Sequence, residues 1–192
     1  MTPPPSRRLN HERTVTYRCY ARDDGLFDIE GRLRDCKGFA YRDRERGVLS
    51  PGEPVHDICA TITIDEDYII HGFSQEMRAI PFGYCLGAQV DAERLKGACL
   101  MRGWRKTLAE AFGPHGGCTH LRELMQGMGT AAFQTISAAK DERLFDAGFV
   151  DSDRETPPPF LGGCHSWQFE GPVVARWFPQ FHRPKAKDAG EG

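Results

Sequence analysis

Cys118 and His120 stand two residues apart behind Gly116 and Gly117, in the run Gly-Gly-Cys-Thr-His-Leu. The glycines let the backbone turn sharply. The residues that follow have helical spacing, so the pair falls at a predicted helix start. The positive end of a helix dipole is an environment that suits a nucleophilic or metal-binding sulfur. Three readings are open: a Cys-His nucleophile, a pair of metal ligands, or a small residue packed at a helix start beside a capping histidine. As ligands the two need partners from elsewhere. His56 opens a predicted strand, and Cys85 lies in the loop before the helices. His56, Cys85, Cys118 and His120 together make a set that suits zinc and is compatible with iron.

A second chemistry is acid–base catalysis. Asp28 and Glu30 are two apart on a predicted strand, so both carboxylates point to the same side. Paired carboxylates in a concave site supply a general acid or base. Solvated hairpin residues, neutralised by Arg32 in the same row, are the plainer alternative. His56 sits at the end of an apolar strand face, where it is either a hydrogen-bonded core histidine or a base at a pocket mouth. Its neighbour Asp57 faces the other way, so the two form no dyad. Arg22, with Arg13, supplies cations for a developing anion, and Tyr84 in the loop before Cys85 is placed to reach a pocket. Trp104, Trp167 and Trp177 are assigned to packing. Cys164-His165 is a second pair with less around it and stays outside the first-choice set.

The elements that must position these groups follow from periodicity. Arg13 to Tyr20 alternates, Asp23-Asp24-Gly25 is a turn, and Leu26 to Asp35 returns with Phe27, Ile29, Gly31 and Leu33 on one face. Gly38 to Glu53 reads as a polar loop. Pro54 to Asp65 and Tyr68 to Ile80 form a second antiparallel pair. Asp91 caps a short helix to Lys96, and Leu100 to Phe112 and Thr119 to Lys140 are longer helices. Ser166 to Trp177 reads as a late strand-like run. Strands first and helices later predict an α+β fold, a curved antiparallel sheet from N-terminal hairpins covered by C-terminal helices. The domain plan is a flexible arm over 1–10, one domain over 11–184 and a disordered tail over 185–192.

Bulk properties narrow the function. The chain has 192 residues, 27% of them charged, and a net charge of -2, which gives no electrostatic case for nucleic acid. No apolar run spans a bilayer and the first residues lack a signal-peptide core, so a cytoplasmic location is expected. There its 7 cysteines should be reduced, and no C-x-x-C pair marks a zinc ribbon. Without a Rossmann fingerprint, P-loop or G-x-S-x-G motif, no nucleotide cofactor is expected.

Several stretches in one order resemble an uncharacterised bacterial family, domain of unknown function 2889. They are Arg22 to Gly31 with Leu33 and Asp35, Gly52 to Asp57, Pro81 with Cys85, Gly103-Trp104, and Gly117 to Leu121 with Glu123-Leu124. The resemblance covers about His11 to Gln134 and implies a setting among bacteria that catabolise aromatic compounds. The expectation is a small enzyme, metal-dependent if the ligand set converges, that acts on an aromatic substrate by proton abstraction. A lyase or isomerase step is favoured, such as loss of formaldehyde from a hydroxymethylated phenolic compound. The partner expected is then a small molecule, with a homo-oligomer compatible. The alternative is a non-catalytic protein that handles a metal or iron–sulfur cluster or binds a ligand.

Overall fold

In a computed structural model of the chain, residues 5–114 and 116–184 are described. The tail expected over 185–192 lies outside them, as does the start of the arm expected over 1–10. The chain divides into two compact units between Ser137 and Ala138.

The first unit is an α+β layer. Its main sheet has four antiparallel strands in the order β1 (His11–Ala21), β2 (Phe27–Lys37), β5 (Pro54–Ile64) and β6 (Ile70–Ala79). The sheet is open at both edges. The β1–β2 turn closes as expected over Asp23-Asp24-Gly25. Gly25 takes φ +81°, the left-handed region where a side chain would be strained, and the Asp24 carboxylate accepts the Leu26 N–H. Shifts of register between Asp35 and Cys36, and again between Asp57 and Ile58, bend the paired strands.

Alternation decides which face is buried. Phe27, Ile29, Leu33, Ile58, Ala60, Ile62 and Ile64 are all buried on the inner face. Of the helices, α1 (Trp104–Phe112) meets α2 (Thr119–Asp146) through Trp104, and the first half of α2 lies against this face. Leu121, Leu124, Met125, Met128, Ala132 and Ile136 form the buried stripe of α2 at helical spacing. The close approach of helix and sheet depends on small residues. A Cβ at Gly31 would stand 3.1 Å from Leu124, and one at Gly127 would run into the Tyr17 hydroxyl. That hydroxyl donates to the Leu124 carbonyl at 3.0 Å, and the Trp104 indole N–H donates to the Met125 carbonyl at 2.9 Å.

Two expectations need correction. Gly38 to Glu53 is more than a loop, because β3 (Tyr41–Asp43) and β4 (Gly47–Leu49) pair as a small hairpin. Asp43 makes this possible by accepting the Glu45 and Arg46 N–H groups and the Arg46 guanidinium. Ser166 to Trp177 is not a strand. Pro172 sits in the first turn of a short helix, α3 (Pro172–Trp177), where its missing N–H costs nothing. Val174 and Phe178 are buried four residues apart, which is helical spacing. Asp91 caps a 3-10 turn over Ala92–Arg94, by accepting the Glu93 N–H.

The second unit, from Ala138, gathers Leu161, Val174 and Phe178 into its own apolar cluster with Phe160, Trp167, Phe169 and Phe181. Among the described residues no helix is long and apolar enough to cross a membrane.

Candidate functional site

Sheet register builds the centre of the site. Arg13 on β1 stands opposite Asp35 on β2, and Asp35 stands opposite His56 on β5. The three therefore form one cross-strand row on the inner face, next to the Leu33–Ile58 pair. Asp35 continues the row Phe27, Ile29, Gly31, Leu33, so strand period places a carboxylate where the apolar series would carry on. Its side chain is only 3% exposed. His120, in the first turn of α2, comes down onto this row from the helix layer.

The distances are short. Arg13 grips Asp35 with two bonds, Nε to Oδ1 at 2.7 Å and Nη2 to Oδ2 at 2.9 Å, and its remaining Nη1 donates to Glu123 on α2 at 2.7 Å. His56 Nδ1 lies 3.1 Å from Asp35 Oδ2, and His120 Nε2 lies 3.8 Å from the same oxygen. The His56 and His120 rings face each other with centroids 3.9 Å apart. His11 Nε2 stands 3.4 Å from Asp35 Oδ1. Asp35, His56 and His120 each offer a ligand atom within 4.8 Å of the others, the one such group of three or more among the described residues. The two imidazoles remain 17% and 26% exposed, so the centre opens to solvent on their side.

Charge in this cluster is arranged for neutral imidazoles. Burial, then the adjacent His120 ring, pushes His56 down to about 4 against the pull of Asp35. Burial, then the Arg13 charge, also lowers His120. For Asp35, burial alone would raise the carboxyl, but the Arg13 hydrogen bonds and charge outweigh it and hold the group below its ordinary 3.8. An anionic carboxylate beside two neutral imidazoles is the protonation state a divalent metal requires. Without a metal, two of the three groups make an Asp–His pair, with Asp35 fixing the His56 ring.

Of the residues singled out from sequence, His56 and His120 are brought together. Cys118 lies beside them, with Sγ 4.0 Å from His120 Nδ1, but its sulfur is not one of the three grouped ligand atoms. Cys85 is in a 3-10 turn over Gly83–Ala88 and is likewise outside the group. Asp28, Glu30 and Arg22 are elsewhere. Asp28 accepts Thr63 Oγ1 at 2.6 Å and pairs with Arg22, which also holds Asp24. Glu30 lines a trough of about 420 Å³ on the open face of the sheet, with Arg18, Arg32, Glu76 and Arg78. Tyr84 is 94% exposed. Sequence reasoning gives Asp35 and Glu123 no role of their own beyond their place in the family resemblance. The one available signal for Asp35 is a carboxylate falling in the inner row of an otherwise apolar strand face.

Residues 11–134 match the profile of a family described as a protein of unknown function (DUF2889), and the chain belongs to that family. The match contains the whole Arg13–Asp35–His56–His120–Glu123 assembly. No curated protein and no solved structure matches the chain.

Proposed function

We propose that this member of the DUF2889 family is a metal-dependent enzyme whose ion is held by Asp35, His56 and His120. The observation that carries the reading is the convergence of one carboxylate and two imidazoles within 4.8 Å, on three separate elements of a packed interface. Two histidines and one carboxylate leave coordination positions open for water and substrate, as catalytic sites do and closed structural sites do not. Zinc fits this donor set, and iron(II) fits it equally in ligand type. When bound, the ion would act as a Lewis acid on a substrate oxygen.

The chain's own groups carry the rest. Arg13 orients Asp35 and ties it to α2 through Glu123. His11, at the rim, is placed to take or return a proton. The reaction class is proton abstraction of the lyase or isomerase type on a small organic substrate. In its concrete form the base takes the proton of a hydroxymethyl O–H, the C–C bond breaks as formaldehyde leaves, and the carbon left with the electron pair is reprotonated. The phenolic substrate in this version rests on the aromatic-catabolic setting that the family resemblance implies. Of the groups that the sequence offers for catalysis, Asp28, Glu30 and Arg22 lie away from this centre and take no part in it.

A second reading has its own support. His56 Nδ1 lies 3.1 Å from Asp35 Oδ2, a contact that orients the ring, and burial keeps the imidazole neutral, so that His56 could serve as a base with no metal needed. Titration with cobalt(II) separates the two. The metal reading expects one equivalent to bind with weak visible d–d bands of nitrogen and oxygen ligands. A strong near-ultraviolet thiolate band would instead bring Cys118 into the ligand set. No saturable binding would leave the metal-free pair.

A further inference from the structure

The two edges of the main sheet are finished differently. Beyond β6 the chain returns and covers the start of that edge. The Ile70 N–H donates to the Ala98 carbonyl at 2.9 Å, and the Ile70 carbonyl accepts the Gly97 N–H at 2.8 Å. Further along, the Gln75 amide bonds both the N–H and the carbonyl of Val90, at 3.2 and 2.6 Å.

β1 has no such cover among the described residues. It pairs on one side alone, with β2, through 11 consecutive partners without a register shift. Every residue of it but Tyr17 and Cys19 is exposed. Alternate residues of an antiparallel strand turn their N–H and C=O groups to opposite sides, so half of the β1 backbone faces outward as an unpaired ladder. Proteins usually blunt such an edge with proline, lysine, a bulge or a short strand. β1 has none of these, and its inward-facing cation, Arg13, is held by Asp35 and Glu123.

Charge along β1 selects the strand that fits it. Glu12 and Arg18 share the open face of the sheet and are equally spaced about Val15. Neither makes an ion pair or a side-chain hydrogen bond with a described residue, although Glu30 stands opposite Arg18 on β2. Two copies running antiparallel about a two-fold axis at Val15 set Glu12 against the partner's Arg18, once at each end. Thr14 then meets the partner's Thr16, and the two Val15 side chains meet at the axis; these are favourable cross-strand pairs. Val15 is 40% exposed although it lies on the inner face. An axis at Thr14, Thr16 or Tyr17 sets neither charge against an opposite one within the strand, and an axis at Arg18 brings two arginines together.

We infer that β1 is a dimerisation edge, which pairs with β1 of a second copy of this chain about Val15 and continues one four-stranded sheet into the other. The backbone ladder supplies the attraction, and Glu12 and Arg18 fix its register. The pairing is independent of the metal proposal, because both side chains lie on the face of the sheet opposite Asp35.

Sedimentation of the full chain over a range of micromolar concentrations tests it. The wild type should dimerise reversibly. Glu12→Arg and Arg18→Glu should each weaken the dimer at least about 10-fold, because each sets like charges together twice. An equimolar mixture of the two variants should recover a dimer, since one chain then presents only arginines at the two positions and the other only glutamates. The double variant Glu12→Arg/Arg18→Glu should recover it as well. Both residues are exposed, so folding should survive, and thermal unfolding of each variant checks it. Hydrogen exchange on the wild type needs no variant: alternate β1 amides should slow as the protein concentration rises. A monomeric wild type overturns the inference, as do β1 amides indifferent to concentration. So does a dimer that keeps its affinity in both single variants, or one that neither mixing nor double reversal restores.

Discussion

The two faces of the central sheet carry the same kinds of charged residue and use them differently. On the open face, Asp28 pairs with Arg22, Asp57 with Arg32 and Glu76 with Arg78, each near water. Arg32, Arg22 and Arg78 remain 47%, 40% and 46% exposed, so these are ordinary surface ion pairs, some of them with one well-covered partner. On the covered face stands Asp35, one residue further along β2 than the outward-facing Arg34. There α2 removes the water and supplies His120 and Glu123 in its place. A single step along β2 therefore separates a side chain on the open face from a carboxylate surrounded by a guanidinium and imidazoles.

The largest expected effect comes from removing the inner carboxylate. Asp35→Asn should lower zinc affinity by roughly 100-fold or more, because even outer partners of a metal site are worth about 10–100-fold. Arg13→Lys should cost less, about 10-fold, since an ammonium cannot reproduce the two-pronged grip on Asp35 or reach Glu123 at the same time. Both are read by competition with a chromophoric chelator. On the open face, Asp28→Asn and Glu30→Gln should leave zinc affinity unchanged, and a loss there would move the centre to the other side of the sheet.

Asp57→Asn should act on stability alone, lowering it by about 1 kcal/mol in urea unfolding. The Arg32 hydrogen bonds hold the Asp57 carboxyl below its ordinary 3.8, outweighing burial. A carboxyl with a depressed value in the folded state stabilises fully above its unfolded value and loses that contribution as the pH falls through the folded one. Wild-type stability should therefore fall between about pH 4 and the acid limit of folding. Asp57→Asn should show a shallower fall over that window and an unchanged zinc affinity.

Much of the fold is legible in alternation. The rows Phe27-Ile29-Gly31-Leu33 and Ile58-Ala60-Ile62-Ile64 are enough to orient two strands, and the α2 stripe is plain in the spacing of its leucines and methionines. His56 and His120 are legible as candidates because of residue type and position at element ends. Asp35 is not, because an aspartate at the end of an apolar row looks the same whether it is solvated or buried. What distinguishes it is the company of Arg13, 22 residues away, and the link from Arg13 to Glu123, 110 residues away. Only register and helix docking bring those together. Cys85 and Cys118 attract attention for the opposite reason, since thiols suggest metal by type alone while placement decides their use. The run before Trp177 misleads because Val173, Val174 and the aromatics have strand propensity, whereas Pro172 starts a helix that buries Val174.

The claim that the covered face holds a metal centre is tested most directly by metal content after growth in zinc- and iron-supplemented medium, using protein purified without an affinity tag. About one divalent ion per chain is expected in the wild type and in Glu30→Gln, and little or none in Asp35→Asn. A metal-free wild type, or full occupancy retained in folded Asp35→Asn, would contradict it.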